Sequence, residues 1–320
     1  MFRSFFIYLS KAAWARKIIT GWNFAWRAAS RFVAGETLDD AIRVIQQLNQ
    51  KGINATLDHL GEHTTDLEFA RRAAQEILHV LDAIALSGVR ANVSIKLTQI
   101  GLSLDEGVCR ENLQMILQKA SALGNFIRID MEDSPWVDTT LRLFNQMRHE
   151  QGFENVGIVI QSYLYRSEAD IRQLSEACSR VRLCKGAYKE PQDVAYPRKA
   201  DVDSSYDRLA QILMDGALAA GCPTLSLDGR LPPIIALATH DERRINFARS
   251  YARKIGLPKE SLEFQMLYGI RRDLQEQLSK DGAPVRVYVP YGSEWYPYYV
   301  RRLAERPANL WFFISNFFRK

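Results

Sequence analysis

From Thr37 onward, short apolar runs rich in Val, Ile and Leu alternate with longer stretches whose apolar residues recur at helical spacing. Strands of a parallel sheet are buried on both faces and read as nearly continuous hydrophobics, while the crossover helices between them keep the 3.6-residue period. The alternation therefore predicts βα units, and eight apolar runs are present, at residues 53–60, 91–97, 126–131, 156–162, 181–186, 234–240, 262–267 and 285–291. Most successive starts lie 23 to 38 residues apart, the span of one strand, one helix and two short connections. Eight such repeats fit a closed (β/α)8 barrel of the TIM type. The rival doubly wound sheet lacks support, because no G-x-G-x-x-G follows the first run. Helix starts are expected where Thr37 precedes Asp40, Thr65 precedes Glu68 and Ser167 precedes Asp170, three capping-box patterns. At Ser134 and Pro135 an N-cap is followed by an N1 proline. The one long gap, from Gly186 to Ile234, contains the polar segment 189–205, which reads as an inserted loop covering a site.

The runs carry misfits. Ser94 and Lys96, Arg128 and Asp130, Arg182 and Cys184, Glu263 and Gln265, and Arg286 and Tyr288 occupy alternate positions, so each pair shares one strand face. If those faces point inward, several charges share the barrel interior, where an ion costs several kcal/mol unless paired or hydrogen-bonded. Moreover Lys96, Asp130, Gln161, Lys185, His240 and Tyr288 fall at or near the carboxyl ends of their runs, the face on which barrel enzymes build their sites. The structural alternative is a salt-bridge network that only sets the register of the barrel. His59, His63, His79 and His149 read as surface or capping residues and are assigned no role.

Beyond the last run, Gly292 and Ser293 supply a turn and an N-cap, and residues 294–306 read as a helix whose Pro297 falls early enough to be tolerated. Tyr298, Arg301, Arg302 and Glu305 recur at i, i+3, i+4 and i+7 and so face one way. Two adjacent guanidinium groups with an aromatic ring one turn earlier make a receptor for a small carboxylate. The structural alternative is a solvated face with an Arg301–Glu305 pair worth a few tenths of a kcal/mol.

Composition adds bounds. The 320 residues, 47% hydrophobic and 25% charged, suit one large globular unit. Its expected parts are a helical arm over residues 1–35, the barrel over 36–310 and an aromatic tail over 311–320. The net charge of +5 arises in the arm, which holds six Lys or Arg and no acid, so the remainder sums to about −1. Nucleic acid is thereby disfavoured as a partner, since its basic stripe belongs on the folded body. Arm and tail, with Trp14, Trp22, Trp26, Trp311, Phe312 and Phe317 among cations, suit amphipathic helices that dock on a membrane surface, on the body or on another subunit. A matrix-targeting presequence shares that composition. No apolar run approaches the length of a membrane span. Cys109, Cys178, Cys184 and Cys222 form no C-x-x-C pair and read as reduced thiols in a reducing compartment. The expected location is cytoplasmic, with peripheral contact at the inner face of the cell membrane as a variant.

The blocks LDHLGE, SIKLTQ, RIDMED, VIQSYLY, VRLCKGAYKE, ATHDERRI, EFQMLYGI and VRVYVPYGSEWYPYYVRRLAERPAN span most of residues 50–310. Together they resemble the proline dehydrogenase family, in particular its bacterial monofunctional form. The RL-x-KGAY and Y-x-x-RR-x-x-E blocks are the specific ones. The resemblance implies a distorted (β/α)8 barrel with noncovalent FAD (FMN being the other flavin to test) that oxidises L-proline to Δ1-pyrroline-5-carboxylate by hydride transfer to flavin N5. It implies that Lys96, Arg301 and Arg302 bind the proline carboxylate, and that Asp130 and Glu305 orient those cations. Leu183, Tyr188, Tyr288 and Tyr298 would enclose the ring, and Arg182 would lie near N5. Met131, Gln161, Lys185, Gly186, Ala187, Thr239 and His240 would contact the cofactor, with Lys199 a candidate for its phosphates. No metal is implied. Electrons would pass to a quinone, and the product to a separate pyrroline-5-carboxylate dehydrogenase. The Cys in VRLCKGAY departs from the expected Val. Two rival readings stand beside this one: a Schiff-base barrel lyase using Lys96 or Lys185, and a non-enzymatic membrane-associated scaffold.

Overall fold

The structure, a computed structural model, describes Trp26, residues 29–61 and residues 64–305, the last three through their backbone alone. Eight parallel strands close in sequence order into a barrel. They are β1 (Asn54–His59), β2 (Ala91–Ile95), β3 (Ile127–Ile129), β4 (Val156–Gln161), β5 (Arg180–Cys184), β6 (Ile235–Ala238), β7 (Leu262–Leu267) and β8 (Val285–Tyr291). Each falls on one of the eight apolar runs. β8 closes against β1, with Asn54 opposite Arg286 and His59 opposite Tyr291. The helices between and around the strands are α1 (Leu38–Gln50), α2 (Leu67–Ser87), α3 (Glu106–Ala122), α4 (Val137–Asn145), α5 (Ser167–Glu176), α6 (Lys199–Ala219), α7 (Glu242–Ile255) and α8 (Arg272–Lys280); α9 (Trp295–Glu305) follows β8. Their apolar faces pack on the outward-facing strand residues, such as Leu57, Val93, Ile127, Ile158, Val181 and Leu237, in one continuous core.

The helix starts are mixed. Thr37 and Asp40 form the expected capping box on α1. On α2 the cap is Asp66, whose side chain accepts from Phe69 N, and not Thr65; the carboxylate displaces its neighbour because it also suits the positive helix end. Ser167 is the first residue of α5, and its hydroxyl donates to Gln161 O while Asp170 pairs with Arg166. Ser134 opens a 3-10 turn (Ser134–Trp136) and is not its cap. The supposed inserted loop is shorter than expected, because residues 199–205 are the first two turns of α6. Of the arm, Ala29, Phe32 and Val33 are buried in a second apolar cluster with Leu60, Ile270, Trp295 and Tyr299. Residues 1–25 and the tail 311–320 lie outside the described residues.

The inward faces carry the charges. Arg286 and Glu263, near the amino ends of β8 and β7, are 1% and 0% exposed and pair at 2.9 Å. The same guanidinium donates to Ala55 O and Gly229 O, each at 2.8 Å, so the loop before β6 covers this end of the barrel with a carbonyl. Arg128 reaches across β4 to donate to Arg180 O at 2.6 Å. It can do so because residue 157 is glycine, where a Cβ would stand 2.6 Å from that guanidinium.

Arg286→Met removes one partner of a buried pair and leaves the Glu263 carboxylate without its cation. The expected loss is about 3–5 kcal/mol of stability, read as a lower urea midpoint with an unchanged slope. A midpoint equal to wild type would contradict this account of the amino end.

Candidate active site

At the carboxyl half of the barrel the misfit residues converge on Asp130, which follows β3. Its Oδ1 accepts from Ser94 Oγ at 2.6 Å and from the Arg182 guanidinium at 2.8 Å; its Oδ2 accepts from the Tyr288 hydroxyl at 2.8 Å. Lys96 Nζ lies 3.8 Å from the same carboxylate and 3.2 Å from Asp58. Four strands and the residue after a fifth thus meet at two carboxylates. Arg182 also donates through Nε to Gln265 on β7. That bond spans β6, whose facing residue is Ala236 in the register Arg182, Ala236, Glu263. The Arg182 guanidinium lies 5.4 Å from the centre of the Tyr288 ring, within cation–π range. Burial, reinforced by the Asp130 and Asp58 charges, holds the Tyr288 hydroxyl well above its ordinary pKa, so it stays a phenol that donates.

A second group lies at the ends of β4, β5 and β6. Gln161 donates to Met131 O and Glu132 O, while its Oε1 is buried with no partner among the described residues. Lys185 is held by Asp203 at 2.5 Å and Asp241 at 3.0 Å. Lys199, on α6 and not on a loop, pairs with Asp203 as well. Burial opposes the ionisation of Asp203, but hydrogen bonds from Lys185 and Lys199 outweigh it and hold the carboxyl below its ordinary value. His240 accepts the Leu267 N–H through Nε2 at 2.9 Å. Its neutral tautomer therefore carries the proton on Nδ1. Thr239 Oγ1 accepts from Asp241 N at 3.1 Å. Gly186 has φ +105, and a Cβ there would meet the Tyr163 ring at 2.5 Å. Ala187 is exposed and Tyr188 half-buried on the loop that follows. Leu183, between the two inward residues of β5, is fully buried in the main core. Burial pushes the Cys184 thiol up to about 12.

The helix α9 packs through Tyr298, Tyr299 and Val300 on Leu60, Leu267 and Ile270, which places it over the ends of β1 and β7. Tyr298 is buried, Arg301 and Arg302 are half-buried, and the Arg302 guanidinium lies 5.1 Å from the centre of the Tyr298 ring. The side chain of Glu305 lies outside the described residues, as does His63. His59 departs from its surface assignment: it is half-buried at the end of β1, stacked on Tyr291 at 5.1 Å. Asp58 was missed, and Gln265, expected on an inward face, was given no part in the site. Thr56 and Asp58 alternate just as Ser94 and Lys96 do, so the same rule applied to β1 finds Asp58. Asp241 is the N-cap of α7, where acids are ordinary, and Asp203 lies in the second turn of α6; no periodicity marks either.

Among the described residues no helix is long and apolar enough to cross a membrane, and no group of His, Cys, Asp and Glu could hold a metal ion. The proline dehydrogenase family model matches residues 41–314. The chain is 38% identical over 318 residues to proline dehydrogenase 2 of Bacillus subtilis, covering 99% of each. It is 43% identical over 294 residues to the proline dehydrogenase of Deinococcus radiodurans, covering 91% of this chain and 90% of that one. Among solved structures, it resembles proline utilization A (PutA) from Bdellovibrio bacteriovorus inactivated by N-propargylglycine, with a TM-score of 0.78 and 26% identity. That match covers 88% of this chain but only 33% of the PutA chain.

Asp58→Ala leaves Lys96 buried without its nearest carboxylate. The expected cost is about 3–5 kcal/mol in chemical denaturation; Asp58→Asn, which keeps an acceptor, costs less. Equal midpoints for both variants and wild type would show that Asp58 does not hold Lys96.

Proposed function

The chain belongs to the proline dehydrogenase family, and from that premise we propose that it oxidises L-proline to Δ1-pyrroline-5-carboxylate with FAD as its resident cofactor. The observation that carries the reading is the convergence of Lys96, Asp130, Arg182 and Tyr288 at the carboxyl end of the barrel. The residues present fit a flavin: Gln161 offers a buried, unmatched acceptor and His240 is held in one tautomer. Met131, Gln161, Lys185, Gly186, Ala187, Thr239 and His240 would hold the cofactor, with Lys199 toward its phosphates. When bound, FAD supplies the acceptor for the hydride lost from the ring carbon next to nitrogen.

The protein's own part is positioning. Lys96, Arg301 and Arg302 would bind the proline carboxylate. Asp130 orients Lys96, and Glu305 would serve the arginine pair in the same way. Tyr188, Tyr288 and Tyr298 would wall the ring, which must lie flat with an uncharged amine; Leu183, on the outward face of β5 and buried in the main core, does not face it. Arg182, fixed by Asp130 and Gln265, would present a cation where negative charge develops. None of these groups is arranged as a strong base, and the amine proton would leave to solvent. The Schiff-base reading is disfavoured because Lys96 and Lys185 are both engaged in ion pairs, whereas such a nucleophile needs a neutral amine. Electrons would pass to a quinone, with the aromatic and basic terminal segments meeting the membrane or a second subunit, and the product to a pyrroline-5-carboxylate dehydrogenase.

Anaerobic titration of the purified protein with L-proline, followed by flavin absorbance, tests cofactor, substrate and reaction together; bleaching is expected, and a colourless protein or an unreduced flavin would sink the proposal. Arg301→Met or Arg302→Met should weaken proline binding about 10- to 100-fold, the worth of one charge-assisted contact, with unchanged affinity removing the carboxylate assignment. Deleting residues 1–25, which leaves the buried Ala29, Phe32 and Val33 in place, should lower liposome binding; a change in oligomer size alone would favour the subunit contact.

A further inference from the structure

The loop between β5 and α6, residues 185–198, crosses the carboxyl end of the barrel and is fastened at two places. Its far half is held by backbone. Leu164 and Ala195 form an isolated antiparallel bridge, Tyr196 N donates to Tyr163 O at 2.8 Å, and the Tyr165 and Tyr196 rings meet edge-on at 4.6 Å. The near half, which carries Ala187 and Tyr188, has a side-chain fastening instead. The Glu190 carboxylate accepts from Ser134 N at 2.8 Å, from Ser134 Oγ at 2.5 Å and from the Tyr163 hydroxyl at 3.4 Å.

Ser134 opens the 3-10 turn that runs into α4, and the residue at the cap position, Asp133, makes no side-chain cap bond. The first N–H groups of a helical run need an acceptor and favour a negative charge. Glu190 supplies both from a loop 56 residues further along the chain. The third partner, Tyr163, also lies against Gly186, so close that a Cβ on residue 186 would enter its ring. Gly186 and Glu190, each held against Tyr163, therefore bracket Tyr188 in sequence. Met131, at the end of β3, stands three residues before the serine that Glu190 holds.

We propose that Glu190 is a positioning residue for the substrate site, capping the helical run after β3 in place of Asp133 and thereby fixing Tyr188 over the barrel mouth. The proposal rests on the reading of Tyr188 as a wall of the proline site. It assigns Glu190 no contact with substrate. A cap that served stability alone would lower the melting temperature and leave the kinetics of the folded enzyme untouched.

Glu190→Ala in the flavin-loaded, full-length protein is expected to raise KM for proline about tenfold, the worth of a lost bond to a charged acceptor, while kcat changes less than about twofold. Glu190→Gln, which keeps one acceptor, should recover part of that loss. Ser134→Ala should raise KM as well, and adding it to Glu190→Ala should cost less than the product of the two single effects. Backbone deuterium uptake over residues 186–191 should quicken in Glu190→Ala and not over residues 193–197. Unchanged KM, or a defect confined to the melting temperature, overturns the proposal. A wild-type flavin that proline fails to reduce overturns the site reading instead, and the deuterium uptake still decides the latch: protection over 186–191 equal to wild type refutes it.

Discussion

Charge inside a parallel barrel is the constraint on which this structure turns. Eight strands buried on both faces leave no water for an ionised side chain, so every inward charge must find its partner on another strand. Asp130 shows how this is met. Its two oxygens take bonds from β2, β5 and β8 at 2.6 to 2.8 Å, and those bonds lock the strand ends in one register. The arrangement that satisfies the desolvation penalty is the same one that aims Lys96, Arg182 and Tyr288 at a common space. Structural and functional demands are therefore not separable at this residue.

Small residues are the other half of the device. Arg128 passes over Gly157, and Arg182 passes over Ala236 to reach Gln265. In each case a long cation bridges to the strand beyond its neighbour, so one guanidinium ties three strands together. A glycine in a strand interior weakens it on its own, but here the missing side chain is the space another side chain fills. The same logic holds at Gly186, whose backbone approaches the Tyr163 ring.

How much of this the sequence discloses follows from which forces act locally. All eight strands stand where the apolar runs place them, because burial on both faces writes itself into consecutive residues. The inward pairs are legible for the same reason, as polar residues at period two. The partners are not: nothing in the chain says that Arg182 meets Gln265 across β6, since that depends on barrel register. Helix caps were read correctly where the bond is local and unrivalled, as at Thr37, and misread at Thr65 and Ser134. At Ser134 the acceptor comes from Glu190, and no spacing rule within the helix can reveal it. The side chain of Glu305 and most of the arm fall outside the described residues, so their roles rest on sequence alone.

The buried interior also has a sign. Lys96, Arg128, Arg182 and Arg286 bring four cations into the barrel, against the carboxylates of Asp58, Asp130 and Glu263. Arg286 and Glu263 pair at the amino end, where Arg128 donates through Nη1 to the Ile158 and Arg180 carbonyls while its Nε and Nη2 are buried with no partner among the described residues. What remains toward the carboxyl end is two cations, Lys96 and Arg182, shared between two carboxylates, Asp58 and Asp130. Those charges balance in number, so an anion entering the space would be drawn by the cations it meets directly and not by a net excess. A small carboxylate would gain from that field without any rearrangement of the residues that make it. The same field would favour negative charge arising on a neighbouring group during reaction. Binding and chemistry would then draw on one source, the cations that the barrel must bury in order to close.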